Sequence, residues 1–445
     1  MSNTLKIFLI FIFITSCSLS KKPKFWSNKK ESSVKEIEVV EKVKVNRLFS
    51  KTNNLNSEFN QNLKIKLSNK IINSLDINNH NNNEGRYDYH GNLKTVSKFK
   101  FSKIENLFQY SPEILFQNND IIFFDAKGSI FKFDSKSKLI WKKNYYSKSE
   151  KKQSPILIFQ KNAEILIVAD SIGKSYALDI NSGKLLWQQN NIYPYNSQIK
   201  THKDKFFIID YENTLRAYSI KNGKEIWKLR TESSLIRSQK KLSIVINNEN
   251  IYFNNSLGDI SGAEIQTGEL LWQRPTLSIS SSEDIYNLEN SELVSDGKNL
   301  YFSNNKNNFF SIDIKTGTIN WQQIISSSMK PALIENFIFT ISNNGFLILI
   351  DKESGNIVRI TNLIEKQSKK FLRNKKTEHA IRPIGFVVGQ KKIYLTTNKG
   401  KLYIVDIKTG KTIQIVKIDN EIISRPFISK KNLYIIKNNS IIKLN

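Results

Sequence analysis

Side chains that could carry catalysis are scarce in this sequence of 445 residues. Only four histidines occur: His80, His90, His202 and His379. The sequence contains neither a Gly-x-Ser-x-Gly nucleophile elbow nor a His-Glu-x-x-His metal-binding helix. Gly173-Lys174-Ser175 resembles the end of a phosphate-binding loop, but the position that needs the partner glycine is Val168. We interpret this segment as a strand turn, and the residues do not favour hydrolase chemistry.

The only cysteine indicates a different kind of chemistry. Cys17 follows Lys6, an apolar run over residues 7–14, and the small residues Thr15 and Ser16. This order is typical of a secretory leader, and the run is too short to span a bilayer permanently. Residues 14–17 resemble a bacterial lipobox, in which the thiol receives a diacylglyceryl group before cleavage. The sequence therefore predicts a signal peptide over residues 1–17 and lipidation of Cys17; the alternative is an ordinary cleaved signal with an incidental cysteine.

The predicted anchor also indicates a location. Several acyl chains would hold the protein firmly to a membrane. Ser18 follows the cysteine, whereas an aspartate there is typical of bacterial lipoproteins retained in the inner membrane. We therefore expect an outer-membrane lipoprotein that faces the periplasm. With one cysteine in the chain, no internal disulfide can form, although the compartment would permit one.

The formal net charge of +28 does not by itself indicate nucleic acid as a partner. Export separates the chain from nucleic acids, and its lysines are scattered through turns instead of forming one stripe with aromatic residues. Part of the charge reflects a bias toward Lys, Asn and Ile across the whole sequence. The remaining attraction would be toward acidic proteins or anionic lipid headgroups.

A repeat runs through most of the chain. Its copies read Asp-x-x-Thr/Ser-Gly followed by Trp, with small departures, at intervals of 38 to 55 residues. Five of the six tryptophans occupy the same repeat position: Trp141, Trp187, Trp227, Trp272 and Trp321. The turn glycines are Gly183, Gly223, Gly268, Gly317, Gly355 and Gly410. In the sixth and seventh copies Arg359 and Gln414 stand in the tryptophan position. This period is that of a four-stranded propeller blade.

The repeat has a physical interpretation as a hairpin. The acidic side chain caps backbone N–H groups of the turn, the glycine adopts a positive φ, and a second strand follows. We expect the tryptophan on the outer strand to fill the wedge between neighbouring blades, with its indole N–H bonded to a backbone carbonyl. The role predicted for these residues is structural.

Eight short apolar segments indicate the number of blades. The first is Ile121–Phe124 and the last is Leu433–Ile436, and each has the length of a strand buried on both faces. We interpret them as the inner strands of eight blades. The chain ends before the last blade has its outer strand, and Val96–Phe101 alternates with the period of a strand. The sequence therefore predicts an all-β, eight-bladed propeller over residues 96–445, closed by an N-terminal strand, and a flexible tether over residues 18–95.

The repeat resembles that of pyrroloquinoline-quinone-type propellers, a superfamily of enzymes and non-enzymes. Lipobox, tether, eight blades and terminal strand exchange together resemble the BamB family, lipoproteins of the outer-membrane β-barrel assembly machinery. This resemblance covers residues 1–17 and 96–445. It implies a non-catalytic scaffold without a cofactor or metal, whose loops on one face bind the periplasmic domains of a BamA-like subunit. Separately from the resemblance, an edge strand in a propeller loop would in principle allow unfolded outer-membrane proteins to bind by addition of a strand.

The resemblance also implies which loops make the contact. The apolar-Arg-Ser pattern of the family corresponds to Leu235-Ile236-Arg237-Ser238, after the third Trp motif. The Asp-x-Asp pattern corresponds to Asn287-Leu288-Glu289, so an amide replaces one carboxylate and Glu replaces the other. A basic run over residues 366–376 lies in a longer loop and would suit an acidic partner or lipid headgroups. For each of these loops the alternative is an ordinary solvated loop.

Two other functions stay open at this point. Quinone-dependent dehydrogenases of the superfamily carry, by family knowledge, an adjacent-cysteine disulfide and oxygen ligands for calcium on the propeller axis. Here the only cysteine is Cys17, which lies outside the propeller, so that disulfide is impossible. A propeller that binds an envelope polysaccharide or another envelope protein would have the same repeat, because loops change function without changing the fold.

Overall fold

The computed structural model describes residues 57–68, 82–83, 85–104, 111–232, 238–277, 282–364 and 380–445. Their strands form eight four-stranded antiparallel sheets, which confirms the predicted all-β, eight-bladed propeller. Two short helices, α1 (Lys148–Lys151) and α2 (Ser282–Tyr286), lie in loops between blades. In the described parts of the chain, no helix has the length and apolar character needed to cross a bilayer.

The first four blades follow the chain order. Blade 1 consists of β2 (Leu115–Gln117), β3 (Asp120–Phe124), β4 (Ile130–Phe133) and β5 (Leu139–Lys143). Blade 2 consists of β6 (Leu157–Asn162), β7 (Ile165–Asp170), β8 (Lys174–Asp179) and β9 (Leu185–Asn190). Blade 3 consists of β10 (Lys200–His202), β11 (Lys205–Ile209), β12 (Thr214–Ser219) and β13 (Glu225–Arg230). Blade 4 consists of β14 (Ile244–Asn247), β15 (Asn250–Asn254), β16 (Ile260–Glu264) and β17 (Leu270–Arg274).

The other four blades continue this order, and the last one takes a strand from the N-terminal side. Blade 5 consists of β18 (Val294–Ser295), β19 (Asn299–Asn304), β20 (Asn308–Asp313) and β21 (Ile319–Gln323). Blade 6 consists of β22 (Ala332–Ile334), β23 (Phe337–Ile341), β24 (Phe346–Asp351) and β25 (Ile357–Asn362). Blade 7 consists of β26 (Pro383–Val388), β27 (Lys392–Thr397), β28 (Lys401–Asp406) and β29 (Thr412–Lys417). Blade 8 consists of β30 (Pro426–Ser429), β31 (Asn432–Lys437), β32 (Ser440–Leu444) and β1 (Thr95–Lys100).

The strand order places the predicted apolar strands one step away from the axis. The first strands of neighbouring blades contact each other, as β2 does with β6, so these strands surround the axis. The predicted inner strand Ile121–Phe124 belongs to β3, the second strand of its blade. All four of these residues are buried because neighbouring blades pack on both faces of the strand. The number of blades was therefore predicted correctly, but the position of these strands was not.

Loops alternate between the two ends of the ring because every blade repeats the same antiparallel order. We define the hairpin-turn face as the end with the turns between first and second strands and between third and fourth strands. We define the connecting-loop face as the opposite end. It holds the turns between second and third strands and the loops that lead from one blade to the next.

The repeated hairpin turns on the hairpin-turn face have the predicted chemistry. In blade 5, Asp313 Oδ1 accepts hydrogen bonds from the backbone N–H of Thr316 at 2.8 Å and from its hydroxyl at 2.9 Å. Gly317 follows with φ of +69° and donates its N–H to the Asp313 carbonyl at 2.9 Å. The side chain thus satisfies turn donors that have no strand partner.

The tryptophans close the interfaces between blades as predicted. Each of the five indoles donates its Nε1–H to a backbone carbonyl in the hairpin turn of the next blade, at 2.8 to 3.3 Å. Each ring also lies against the turn glycine of that blade: a Cβ on Gly317 would stand 2.6 Å from the Trp272 ring. A β-bulge three residues after the turn glycine, at Leu271 in blade 4, shifts the register just before the tryptophan.

The interface between blades 6 and 7 uses Arg359 instead of tryptophan. This side chain is fully buried, and its guanidinium lies against Gly410. It donates hydrogen bonds to the carbonyls of Lys408, Ile407 and Leu63. Burial lowers the pKa of Arg359 from its ordinary value, against the opposing effect of Asp406. An arginine therefore connects two blades and a part of the chain that precedes the propeller.

Ring closure is as predicted, but two parts of the segment predicted as a flexible tether, residues 57–68 and 85–94, are packed on the propeller. Strand β1 pairs with β32 over its length, with Phe99 opposite Ile441. Ile65 is buried in the core between blades 6 and 7, and Tyr89 packs against Tyr394 with ring centroids 5.1 Å apart. These two segments thus belong to the folded domain, because Ile65, Tyr87 and Tyr89 are buried in it. The remaining calls on residues 1–56 fall outside the described residues.

Candidate functional site

The predicted contact segment Asn287–Glu289 is held in place by a neighbouring turn on the connecting-loop face. Asn287 and Glu289 lie just after α2, in the loop from blade 4 to blade 5. Asn305 holds this loop with three hydrogen bonds: its side-chain amide donates to the Asn287 carbonyl at 2.7 Å, its Oδ1 accepts the Glu289 N–H at 3.0 Å, and its own N–H donates to the Glu289 carbonyl at 3.0 Å. The Asn287 side chain is exposed and that of Glu289 is half-buried. The backbone is fixed, and the side chains stay available for contact.

The structure brings the two sequence-predicted loops together at one hydrogen bond. Ser238, which ends the apolar-Arg-Ser pattern, donates its hydroxyl to the carbonyl of Leu288 at 2.6 Å. Leu288 is buried, so this bond holds the middle of the Asn287–Glu289 segment against the domain. The predicted contact residues Leu235, Ile236 and Arg237 lie outside the described residues, as does the basic run 366–376. Their roles stay predictions.

The sequence analysis did not identify several large apolar residues that are exposed in the loops between blades. Tyr286, at the end of α2, is 60% exposed, and Ile324, directly after β21, is 63% exposed. Ile192, in the loop from blade 2 to blade 3, is 89% exposed. All three lie on the connecting-loop face. Apolar side chains held open to solvent with a polar rim are typical of protein-binding surfaces. For Ile192 and Ile324, the signal in the sequence was a large apolar residue in a loop just after an outer strand.

A second candidate site is a cavity of about 130 Å³ on the axis of the ring. It is lined by the first strands of several blades and by the residues that precede them. Glu113 and Lys241 form an ion pair at 3.0 Å, and Glu292 and Lys330 form another at 3.1 Å. Lys200 and Arg425 also line this cavity, whereas Lys241 lies beside it. Several ionisable side chains of the described residues therefore lie close together on the axis.

The charges on the axis shift each other's pKa values. Burial alone would raise the pKa of Glu292, but the positive charges of Lys330, Arg425 and Lys241 hold it below its ordinary value. Burial lowers the pKa of Lys200 to about 8, and the charges of Lys330 and Lys241 act in the same direction, against Glu292 and Glu113. The pKa of each of these two groups thus depends on burial and on the charges of its axial neighbours.

The axial residues that the structure describes do not fit a calcium ion of the kind that quinone-dependent enzymes bind. Calcium requires several oxygen ligands, with carboxylates among them. The two carboxylates here are paired with lysines, and in the described residues no three His, Cys, Asp or Glu side chains are grouped to hold a metal. Of the histidines within the described residues, His90 is exposed and His202 lies 3.8 Å from Glu249. His80 and His379 lie outside those residues.

Fold and repeat together define an eight-bladed propeller with quinoprotein-type blades. The family model described as outer membrane protein assembly factor BamB matches residues 126–361, which is more than half of the chain. The chain therefore belongs to the BamB family. A curated relative, outer membrane protein assembly factor BamB of Legionella pneumophila (strain Paris), is 24% identical over 135 residues. That match covers 28% of this chain and only 32% of the relative's length.

Solved structures share the fold with this chain. The crystal structure of BamB from Moraxella catarrhalis superposes with a TM-score of 0.63 at 14% identity, over 79% of this chain and 100% of that one. A quinohemoprotein alcohol dehydrogenase from Comamonas testosteroni gives a TM-score of 0.60 at 10% identity, over 83% of this chain and 81% of that one. An outer membrane protein assembly factor and an alcohol dehydrogenase thus share this architecture, so the function has to be argued from the sites.

Proposed function

We propose that this protein is a non-catalytic lipoprotein scaffold of outer-membrane β-barrel assembly. It would bind the periplasmic domains of a BamA-like subunit through the connecting-loop face. The contact would involve Leu235, Ile236, Arg237, Asn287 and Glu289. Lipidation at Cys17 would anchor it to the outer membrane with the propeller in the periplasm. Family membership supports the assembly role, and the loop geometry supports the choice of surface.

The main support for this surface is the hydrogen bond between Ser238 and Leu288. It ties the chain next to Arg237 to the segment that carries Asn287 and Glu289. Asn305 fixes the same segment, so little conformational entropy would be lost when a partner binds. Tyr286 and Ile324 add exposed apolar surface. A fixed backbone with apolar side chains and polar neighbours is the pattern of a protein-binding surface.

An enzymatic function is less well supported. The comparison with the alcohol dehydrogenase is a likeness of fold at 10% identity. The axial carboxylates are paired with lysines, and the chain has one cysteine. An oxidoreductase of this fold would need a donor set for its metal that the described axial residues lack.

Pull-down from detergent-solubilised membranes tests the proposal. The tagged protein should recover the BamA-like subunit, and Arg237→Glu or Tyr286→Asp should reduce this recovery. Loss of a contact residue at the centre of an interface costs about 2 kcal/mol, roughly thirtyfold in affinity. Deletion of the gene should also lower the amounts of outer-membrane barrel proteins.

Lys315→Glu serves as the matched control. Lys315 is exposed and lies in a turn on the hairpin-turn face, so this charge reversal should leave recovery unchanged. If wild-type protein recovers no barrel-assembly component, the scaffold function is wrong. If Lys315→Glu weakens recovery as much as Arg237→Glu, the assignment of the surface is wrong.

A further inference from the structure

The outer rim of the ring carries lysines in a regular pattern on three neighbouring blades. The outer strands of blades 7, 8 and 1 are β29, β1 and β5. Each of these strands ends in a lysine, and another lysine directly precedes it: Lys411 and Lys417, Lys94 and Lys100, Lys138 and Lys143. All six side chains are exposed. We define the basic rim as these three strands together with the three lysines that precede them.

Exposed apolar side chains lie between the lysines of the basic rim. They are Ile413 and Ile415 in β29, Val96 in β1, and Leu139 and Ile140 in β5, each between 45% and 57% exposed. In water these side chains gain nothing from burial. Each strand of the basic rim thus presents an apolar centre with a positive charge at both ends.

The opposite side of the ring lacks this pattern. The outer strands of blades 4, 5 and 6 contain no lysine. Residues 282–364 contain 6 Lys and Arg against 9 Asp and Glu, whereas residues 380–445 contain 13 against 3. Lysines on edge strands also prevent edge-to-edge aggregation, but the outer strands of blades 4 and 5 are edge strands too. Neither this protection nor a general bias in composition explains why the lysines are concentrated on one side.

Packing between the blades makes the three strands one continuous surface. Val416 in β29 lies against the core cluster that contains Ile442 and Leu444 of blade 8. Phe99 in β1 packs against Phe133 of blade 1, with ring centroids 5.8 Å apart. These inward side chains fix the backbone of the outer strands. The exposed side chains beside them are therefore presented from a rigid support.

Apolar side chains between lysines are typical of protein surfaces that lie in the interface of a bilayer. The apolar groups enter the boundary between headgroups and acyl chains. Lysine stems extend along this boundary and bring the ammonium groups to the phosphates of anionic lipids. A bilayer is also a broad surface that a convex rim can meet over several neighbouring blades. Charge, apolar exposure and shape thus agree on the same partner.

We propose that the basic rim binds the surface of a membrane that contains anionic lipids. Its exposed apolar side chains enter the interface, and its lysines bind headgroup phosphates. In this orientation the propeller axis lies parallel to the membrane, so both faces of the ring remain open. The connecting-loop face therefore stays accessible to a protein partner. This contact is made by the polypeptide itself and does not need a lipid at Cys17.

Cosedimentation with vesicles tests this surface. The full-length chain with Cys17→Ser, which offers no thiol for a lipid, is mixed with vesicles of phosphatidylcholine, with or without an equal amount of phosphatidylglycerol. We expect tighter binding to the anionic vesicles. Binding should weaken as salt is added, because salt screens the attraction between lysines and headgroups. All variants are compared in this same chain, so the contribution of the first 93 residues stays constant.

Replacement of lysines locates the charge that is responsible. Lys98→Gln, Lys411→Gln and Lys417→Gln together should weaken binding to anionic vesicles at least tenfold. The matched control replaces three exposed lysines of blade 3 by glutamine: Lys221, Lys224 and Lys228. Blade 3 lies across the ring from blade 7, so this control should change binding less than twofold.

Replacement of apolar residues separates an interfacial contact from charge attraction alone. Ile413→Ser with Ile415→Ser should weaken binding to anionic vesicles at least fivefold, although no charge changes. The matched control is Leu270→Ser with Leu271→Ser in blade 4, where both leucines are similarly exposed. This control should bind as the unsubstituted chain does.

Three results would overturn the proposal. The first is that anionic vesicles bind no better than neutral ones, which would leave an acidic protein as the partner of the basic rim. The second is that either control weakens binding as much as the matching basic-rim variant. The third is that either basic-rim variant remains folded by circular dichroism and binds as the unsubstituted chain does. Partner recovery in pull-downs is a separate measurement, so failure here would leave the scaffold proposal unaffected.

Discussion

Turns on the hairpin-turn face repeat the same hydrogen bonds from blade to blade, whereas loops on the connecting-loop face differ in length and content. Asp179, Asp313, Asp351 and Asp406 each accept two hydrogen bonds from the Ser or Thr three residues later. By contrast, one connecting loop spans residues 275–293 and contains a helix, and the next spans only residues 324–331. The first face maintains the ring, and the second can vary without disturbing it.

The contact between turn glycine and tryptophan should carry the largest energetic effect on the hairpin-turn face. Gly317→Ala would place a Cβ 2.6 Å from the Trp272 ring at φ of +69°. We expect a loss of about 3 to 4 kcal/mol of unfolding free energy, from the backbone strain and the clash together. The measurement is the midpoint of urea unfolding.

Gly297→Ala is the matched control for this substitution. Gly297 has φ of +90°, but the nearest atom to an added Cβ is Asn247 Oδ1 at 3.9 Å. It should therefore show the backbone strain alone, about 1 to 2 kcal/mol. Equal losses for both variants would mean that the glycine contact with tryptophan does not close the interface.

Replacement of the interface residue itself should distinguish the tryptophan interfaces from the arginine interface. Trp272→Ala should cost about 3 kcal/mol through lost packing. Arg359→Ala should cost roughly 1 to 3 kcal/mol because three carbonyls lose their donor, one of them that of Leu63. Limited proteolysis should show faster cleavage within residues 57–68 for Arg359→Ala only. Equal cleavage in the two variants would contradict a role of Arg359 in holding that segment.

The hydrogen bonds between Asn83 and Leu333 in blade 6 predict a smaller and more local effect on stability. Asn83→Asp keeps the acceptor for the Leu333 N–H but removes the donor to the Leu333 carbonyl. We expect a loss of about 1 to 2 kcal/mol. Hydrogen exchange at residues 82–89 should accelerate while the hairpin turns keep their protection. Uniform acceleration of exchange over all blades would indicate that residues 82–89 open only together with the whole propeller.

Acid titration should give the smallest effects, with opposite signs on the two faces. Hydrogen bonds from Thr316 lower the pKa of Asp313, so its contribution to stability is complete above about pH 4 and is lost as the pH falls through the lowered value. Burial raises the pKa of Asp170, on the connecting-loop face, despite a hydrogen bond from Tyr146. Ionised Asp170 therefore reduces stability, and protonation at low pH relieves this.

Asparagine variants test these two signs. Asp313→Asn should flatten the acid loss of stability, and Asp170→Asn should steepen it, each by a fraction of a kcal/mol in urea unfolding followed between pH 3 and pH 6. If both variants changed the pH dependence of the unfolding free energy in the same direction, the opposite effects assigned to Asp313 and Asp170 would be wrong.

The sequence predicted the parts that the repeat controls. Period, turn chemistry and tryptophan spacing gave the blade number, the hairpins and the interface packing, because these depend on contacts that recur in every copy. The closing strand was predicted from its alternation and from the missing strand at the C-terminus. The position of the apolar strands within the blades was predicted incorrectly. An apolar run that is buried on both faces has the same sequence pattern whether it is the first or the second strand of a blade.

Other features depend on single long-range contacts that a local pattern does not show. The docking of residues 57–68 includes a hydrogen bond from Arg359, which in the sequence looks like a degenerate copy of the repeat. Asn82 and Asn83 belong to a polar run typical of a linker, yet their amides pair with first strands more than 160 residues away. The axial charges come from six separate loops and strands, so only the closed ring brings them together.

The most direct test of the central claim is site-specific photocrosslinking in the cell envelope. A photoreactive residue at Asn287 samples the connecting-loop face, and one at Lys315 samples the hairpin-turn face. Scaffold binding through the connecting loops predicts a crosslink to the BamA-like subunit from position 287 and none from position 315. A crosslink from position 315 alone, or from neither position while the deletion still lowers barrel levels, would contradict it.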